Sequence, residues 1–177
     1  GKSSICNFYF QILNLNKIRV ASIGTLGIRT ASGNLPVLNT TIDPLELSKQ
    51  LKKISNKKIN NVILEASSHG LKQHRLDGLR FNKGIFTNLS HDHLDYHKTF
   101  KDYLNSKLHL FNSLLCNDAT IITDEDIPEY KKIFKISKQK KFRLETISNK
   151  RGIIKIIKHE YIGEKQYIKI KYKNSVY

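Results

Sequence analysis

The 177 residues carry 31 Lys or Arg against 15 Asp or Glu, a net charge of +16, and 39% of them are apolar. That length suits one domain with a sizeable core, although the apolar share is low for a globular fold. No apolar run is long enough to cross a membrane and the chain opens on polar residues, so neither a span nor a secretory signal is expected. Cys6 and Cys116 follow no metal spacing and read as reduced thiols of a cytoplasmic protein.

Taken in chain order, the pattern predicts alternating helices and strands. A helix over Ser4 to Leu15 is followed by a short strand over Arg19 to Ile23. The next helix, Thr41 to Ile54, has Asp43 as N-cap and Pro44 at its first position. Val62 to Leu64 reads as a buried strand, Ser68 to Leu79 as a helix and turn, and Gly84 to Thr87 as a second buried strand. Thr99 to Leu115 is predicted as a long helix opening on a capping-box-like Thr99 and Asp102. Then come a strand over Ala119 to Thr123, a short helix over Pro128 to Ile133, and strands over Gly152 to Ile157 and Gln166 to Tyr172 around a turn near Gly163. The expectation is an α/β fold of P-loop type: a mostly parallel sheet flanked by helices, with antiparallel strands toward the C-terminus.

The charge is not evenly spread. Residues 131–177 hold 15 basic residues against 3 acidic ones. In Tyr167-Ile-Lys-Ile-Lys-Tyr172, Lys alternates with Ile and Tyr at the period of a half-exposed strand. A solvated sheet face accounts for this better than a nucleic-acid surface, which stays as the alternative.

Polar residues gather behind two apolar strands. Glu65-Ala-Ser-Ser-His-Gly70 follows Val62 to Leu64, and Thr87-Asn-Leu-Ser-His-Asp-His-Leu-Asp-Tyr-His97 follows Ile85 and Phe86. Ligands of α/β proteins bind just beyond the carboxyl ends of such strands. A carboxylate at Glu65 is costly to bury unless it meets a cation or hydrogen-bond donors, or caps the next turn. Histidines 91, 93 and 97 could hold zinc, but no cysteine supports that reading. Lys107 falls inside an apolar stripe of Phe100, Tyr103, Leu104, Leu108, Phe111 and Leu115, so it either snorkels to solvent or serves a site. Asn39, Thr40 and Thr41 precede a helix start, where hydroxyls and amides suit anions. Gln73, His74 and Arg75 add an amide, an imidazole and a guanidinium, and Arg75 could grip a carboxylate or phosphate in two-pronged fashion. Gly1-Lys-Ser-Ser4 matches only the second half of a P-loop, Gly-Lys-Ser/Thr before a helix.

In this order, Gly1-Lys-Ser-Ser4, Asn39-Thr-Thr41, Glu65-Ala-Ser-Ser-His-Gly-Leu71, Gln73-His-Arg75, Thr87-Asn-Leu-Ser90 and Asp92-His-Leu-Asp-Tyr-His97 with Lys107 resemble the Mur ligases, over about the first 125 residues. The resemblance implies the member that adds a diamino acid, meso-diaminopimelate or L-lysine, to UDP-MurNAc-L-Ala-D-Glu through an acyl phosphate made from ATP, in peptidoglycan synthesis. It implies that Gly1, Lys2, Ser3, Ser4 and Asn88 bind ATP, and that Lys2 and a carbamylated Lys107 are catalytic. Ser3, Glu65, His93 and Lys107 would hold Mg²⁺. Asn39, Thr40, Thr41, Ser67, Gln73 and Arg75 would hold the UDP-MurNAc-dipeptide. The family's leading Gly-Thr-Asn of the P-loop, its N-terminal UDP-binding domain and its C-terminal amino-acid-binding domain find no counterpart, so residues 1–177 are expected to be an incomplete central ATP-binding domain, inactive alone. A monomer with no membrane or nucleic-acid partner is expected. Another P-loop ATPase or a folate-type ligase is the neighbouring alternative.

Overall fold

The computed structural model describes residues 1–89, 96–148 and 152–177. In chain order the elements are α1 (Lys2–Leu15), β1 (Val20–Gly24), β2 (Gly27–Thr30), β3 (Gly33–Leu35), α2 (Pro44–Asn56), β4 (Asn61–Leu64), α3 (Ser68–Lys72), β5 (Phe81–Phe86), α4 (Phe100–His109), β6 (Leu115–Asp124), α5 (Tyr130–Lys140), β7 (Arg143–Ser148), β8 (Ile154–Ile162), β9 (Lys165–Tyr172) and β10 (Ser175–Val176). The chain divides into two compact units, Gly1–Leu79 with His91–Leu110, and Arg80–Ser90 with Phe111–Tyr177.

The first unit contains a four-stranded sheet in the order β3-β2-β1-β4. β1 is buried along its whole length, and β4 runs parallel to it with Val20 opposite Asn61 and Ile23 opposite Leu64. A parallel pair ends at one edge of the sheet, so Thr25 and Glu65 leave their strands side by side. The Glu65 N–H extends the ladder by donating to the Ile23 carbonyl at 2.8 Å. β4 is the edge strand of this sheet, and Val62 is 38% exposed where a buried strand was expected. α2 opens as predicted: Asp43 accepts from the Leu45 N–H at 2.9 Å, Pro44 follows, and Leu47, Gln50 and Ile54 turn inward. α4 also opens as predicted, with Thr99 accepting from the Asp102 N–H at 3.1 Å and Tyr103, Leu104 and Leu108 buried.

The hairpin β2–β3 was not expected. Its strands are only four and three residues long, too short to show a period, and their first residues, Gly27 and Gly33, hold positive φ.

The second unit contains a six-stranded sheet in the order β10-β9-β8-β7-β6-β5. β5 to β8 pair parallel, and β8, β9 and β10 pair antiparallel, as the sequence suggested. Phe86, Phe111, Leu114, Ile121, Ile133 and Ile136 are buried within it. The predicted long helix stops early: Leu110–Leu114 widen into a π-helical turn and Leu115 already begins β6. α5 runs to Lys140, where Lys141 ends it in the left-handed conformation at φ 58°. The period-two tail does form β8 and β9, but it is exposed on both faces rather than half-buried. A bulge between Ile156 and Lys158 keeps Ile156 opposite Ile170 and Lys158 opposite Lys169, so apolar and basic pairs stay on opposite sides.

Candidate functional site

The candidate site is built in the first unit around the carboxyl ends of β1 and β4. Glu65, the residue after β4, is 3% exposed, and its carboxylate is hydrogen-bonded rather than stranded. Oε2 accepts from the Ser3 hydroxyl at 3.0 Å and the Thr25 hydroxyl at 3.1 Å, while Oε1 accepts from the Thr25 N–H at 3.2 Å. Gly24 makes room for it: a Cβ there would lie 2.4 Å from Glu65 Oε1 and 2.6 Å from its Cγ. Ser3 stands in the first turn of the 14-residue α1, whose N-cap Gly1 supplies no side-chain cap. The amides of that turn are therefore available to an anion, and Lys2 sits among them. A hydroxyl and a carboxylate 3.0 Å apart are hard oxygen donors of the kind that suits Mg²⁺.

Behind Glu65 lies a second, partly buried network. Thr41 is buried, and its hydroxyl donates to the Glu65 carbonyl at 3.0 Å. The same oxygen accepts from the Ser67 N–H at 2.9 Å and lies 3.0 Å from the Ser67 hydroxyl. Ser67 in turn caps α3 by accepting from the Gly70 N–H at 3.0 Å. Arg75 donates to the Thr41 carbonyl at 2.7 Å, and Thr40 meets Thr25 hydroxyl to hydroxyl at 3.0 Å. Gly70 again reflects close approach, since a Cβ would lie 2.5 Å from that of Thr41. These contacts fix the loop before α2, the end of β4 and the start of α3 as one body around the carboxylate.

The third layer joins α3 to α4. His97 is fully buried, with Nε2 3.0 Å from the Ser68 hydroxyl and its ring stacked on Tyr103 at 4.8 Å between centroids. Its Nδ1 has no hydrogen-bond partner among the described residues, and Asp102 Oδ2 at 3.7 Å is too far to be one. Burial, reinforced by the positive charge of Lys72, lowers the His97 pKa, with Asp102 pulling the other way. Lys72 pairs with Asp102, whose carboxyl is held low chiefly by that bond. Ser68, His97 and Asp102 fall in the order of a hydrolase triad. Ser68 and His97 are buried, however, and the long Nδ1 contact leaves nothing to orient the imidazole as a base. The arrangement is packing.

The structure thus brings together Ser3, Glu65, Thr40, Thr41, Ser67 and Arg75, with Gly1 and Lys2 at the head of the same helix and Ser4 exposed beside them. Asn39 is exposed next to Thr40, and Gln73 donates to the Tyr96 hydroxyl at 2.9 Å. Lys107 is half-buried instead of enclosed by its apolar stripe, and its ammonium lies 4.8 Å over the Tyr103 ring. Asn88 belongs to the second unit, where its Oδ1 accepts from the Thr87 hydroxyl at 3.2 Å. His93 lies outside the described residues, as does His91, so the zinc reading of the three histidines falls there too.

Thr25 is the contributor that sequence reasoning missed. It directly follows the carboxyl end of β1, the same rule that singled out Glu65, but the strand expected over Arg19 to Ile23 ends on no residue whose burial demands a partner. Cys6 is a buried free thiol. Burial, with the nearby Glu65 charge adding to it and Lys2 opposing, pushes its pKa up to about 12.

A Mur ligase middle-domain profile matches residues 1–175. The chain is 34% identical over 177 residues to the UDP-N-acetylmuramoyl-L-alanyl-D-glutamate--2,6-diaminopimelate ligase of Zymomonas mobilis, covering all of this chain and 36% of that protein. It is 46% identical over 130 residues to the like-named ligase of Bradyrhizobium diazoefficiens, covering 71% of this chain and 26% of that one. A solved structure of a UDP-N-acetylmuramoyl-L-alanyl-D-glutamate--2,6-diaminopimelate ligase superposes with a TM-score of 0.85 at 25% identity, over 98% of this chain and 35% of the other. A folylpolyglutamate synthetase from Lactobacillus casei shares the fold alone, with a TM-score of 0.67 at 10% identity over 99% of this chain and 48% of the other. The fold and the matched segments define a Mur ligase central domain. The chain belongs to the Mur ligase family, and it spans 26% to 37% of the length of the first curated relatives it matches.

Proposed function

We propose that this chain is the central, ATP-handling part of a ligase that joins a diamino acid to UDP-MurNAc-L-Ala-D-Glu in peptidoglycan synthesis. The amino acid is taken to be diaminopimelate, the one named in its curated relatives. The observation that carries the reading is the Ser3–Glu65 pair, a hydroxyl and a buried carboxylate 3.0 Å apart at the open N-terminus of α1. In such a reaction the protein's task is to hold phosphates and neutralise charge on the transferring phosphoryl group.

On this reading Gly1, Lys2, Ser3 and Ser4 meet the phosphates of ATP through α1 amides, the Lys2 ammonium and hydroxyls, with Asn88 at the nucleotide. Ser3, Glu65, His93 and Lys107 hold Mg²⁺, which supplies charge neutralisation on the phosphate oxygens. Asn39, Thr40, Gln73 and Arg75 face the UDP-MurNAc-dipeptide. Thr41 and Ser67, whose hydroxyls are engaged with each other and with backbone, shape that surface. Lys107 adds to CO₂ through Nζ, releasing a proton and becoming a carbamate anion, which is the form that suits a cation. A segment spanning about a third of its relatives' length is not expected to complete the reaction unaided. ATP and a UDP-linked precursor are cytoplasmic reactants, so we place the ligase there, working as a monomer without nucleic acid.

The test is a chimera in which residues 1–177 replace the matching segment of the Zymomonas mobilis relative. The expected result is phosphate release from ATP that needs both UDP-MurNAc-dipeptide and diaminopimelate, reduced at least a hundredfold by Glu65→Ala. A chimera whose turnover is indifferent to Glu65→Ala would refute the reading.

A further inference from the structure

A second cluster of metal-binding groups lies on the first unit, outside the ligase machinery. Asp77, in the turn after α3, accepts from two histidines at once. His74 Nδ1 lies 2.9 Å from Oδ2 and His109 Nε2 lies 2.8 Å from Oδ1. The two imidazoles meet edge to face at 5.0 Å between centroids, so their inner nitrogens converge on one carboxylate. All three ligand atoms lie within 4.8 Å of one another. His74 and Asp77 are exposed and His109 is half-buried, so an ion can reach them from solvent.

We propose that His74, Asp77 and His109 form a binding site for a divalent transition-metal ion of the Zn²⁺ class. Two imidazoles and one carboxylate are a donor set that favours Zn²⁺, Ni²⁺ or Co²⁺ over Mg²⁺, whose preference is for oxygen alone. Zn²⁺ binds such nitrogens and oxygens at about 2.0–2.2 Å, which sets tetrahedral ligand atoms a little over 3 Å apart. The two nitrogen–oxygen distances are already close to that value, so entry of the ion exchanges two hydrogen bonds for two coordination bonds and draws in the third ligand. Three protein ligands leave a fourth position for water. The site does not depend on the ligase reading: no residue in it was assigned to ATP, Mg²⁺ or the nucleotide precursor.

Its placement gives it a consequence. His74 holds the left-handed conformation at φ 57° and stands between Gln73 and Arg75, while His109 is the last residue of α4. A bound ion adds coordination bonds between α4 and the turn that carries Gln73 and Arg75, in place of the exposed hydrogen bond between His109 and Asp77.

The experiment is a Zn²⁺ titration of the 177-residue chain against a chromophoric chelator at neutral pH, repeated for His74→Asn, Asp77→Asn and the double variant His74→Asn/His109→Asn. Asn tolerates the left-handed backbone better than most residues, so His74→Asn leaves the turn intact. Its melting temperature without metal should stay within a few degrees of the parent chain. The expected result is one Zn²⁺ site per chain that millimolar Mg²⁺ does not displace. His74→Asn and Asp77→Asn each weaken it at least tenfold, and the double variant abolishes it. Imidazole nitrogen resonances of His74 and His109 should move first as zinc is added. Equal affinity and stoichiometry in the parent and the double variant, or displacement of Zn²⁺ by Mg²⁺, would overturn the proposal. Zinc bound only through other histidines would show as that equality.

Discussion

Gly24→Ala tests the geometry around Glu65 most directly. The added Cβ would stand 2.4 Å from Oε1 and 2.6 Å from both Cδ and Cγ of Glu65. Moving only the carboxylate tip cannot relieve a contact that reaches back to Cγ, so the whole side chain must rotate away. It then gives up donors: Ser3 and Thr25 together make three hydrogen bonds to the carboxylate. A hydrogen bond to a charged group contributes about 1.5–3 kcal/mol, and some bonds can re-form after the shift. We therefore expect a net loss of about 2–4 kcal/mol, or a melting temperature lower by roughly 5–12 °C for a chain of this size. In a Glu65→Ala background the offending atoms are gone, and the same Gly24→Ala change should cost about 1 kcal/mol or less. The difference between the two backgrounds, measured by urea unfolding of the four chains, is a coupling energy of about 1–4 kcal/mol. Equal costs in both backgrounds would refute the claim that Gly24 exists to admit Glu65.

Thr41→Val removes the hydroxyl at the hub while keeping its shape, leaving the Glu65 carbonyl and the Ser67 N–H short of partners. The expected loss is about 2–4 kcal/mol by denaturant unfolding, with Thr41→Ser recovering most of it; a loss below about 1 kcal/mol would contradict the network. Acid should also destabilise the first unit. The folded His97 pKa lies below its unfolded value near 6.5, so the unfolded chain binds the proton more tightly. The stability is complete above that value and falls as the pH drops through it. Asp77 and Asp102 are depressed as well, but their contribution is lost only at more acidic pH, through and below the ordinary carboxylate range. Scanning calorimetry between pH 7 and 5 should show the melting temperature of the parent chain falling faster than that of His97→Phe; parallel slopes would rule out His97 as the source.

The helices were legible wherever their ends carried chemistry. Asp43-Pro44 and Thr99 with Asp102 marked two helix starts to the residue, because an N-cap is a local side-chain-to-backbone bond that needs no tertiary partner. Helix ends were harder. The stripe from Phe100 to Leu115 keeps helical spacing through Phe111, yet the backbone widens at Leu110–Leu114 and Leu115 joins a strand. Apolar spacing reports which residues turn inward, not how the carbonyls between them are paired. The same limit hid the exposure of β8 and β9. Alternating Lys and Ile correctly gave a strand with two unlike faces, but nothing in an alternation says whether anything packs on the apolar one.

The site was legible at one strand end and opaque at the other, for the same physical reason. Glu65 stood out because a carboxylate after an apolar run poses an energetic problem that must have an answer nearby. Thr25 poses no such problem: a hydroxyl after Gly24 can be solvated at no cost. Only the parallel pairing of β1 with β4 makes it a partner of Glu65, by delivering both chain ends to the same edge 40 positions apart in sequence. The cluster of His74, Asp77 and His109 repeats the lesson, since its third ligand comes from the far end of α4, 32 residues after Asp77. Charged residues that need compensation can be found one at a time, whereas the groups that compensate them become visible only once the strand register and helix placement are known. For that reason the Gly24→Ala cycle is the sharper probe: it interrogates a contact between two strand ends, which no single position in the sequence encodes.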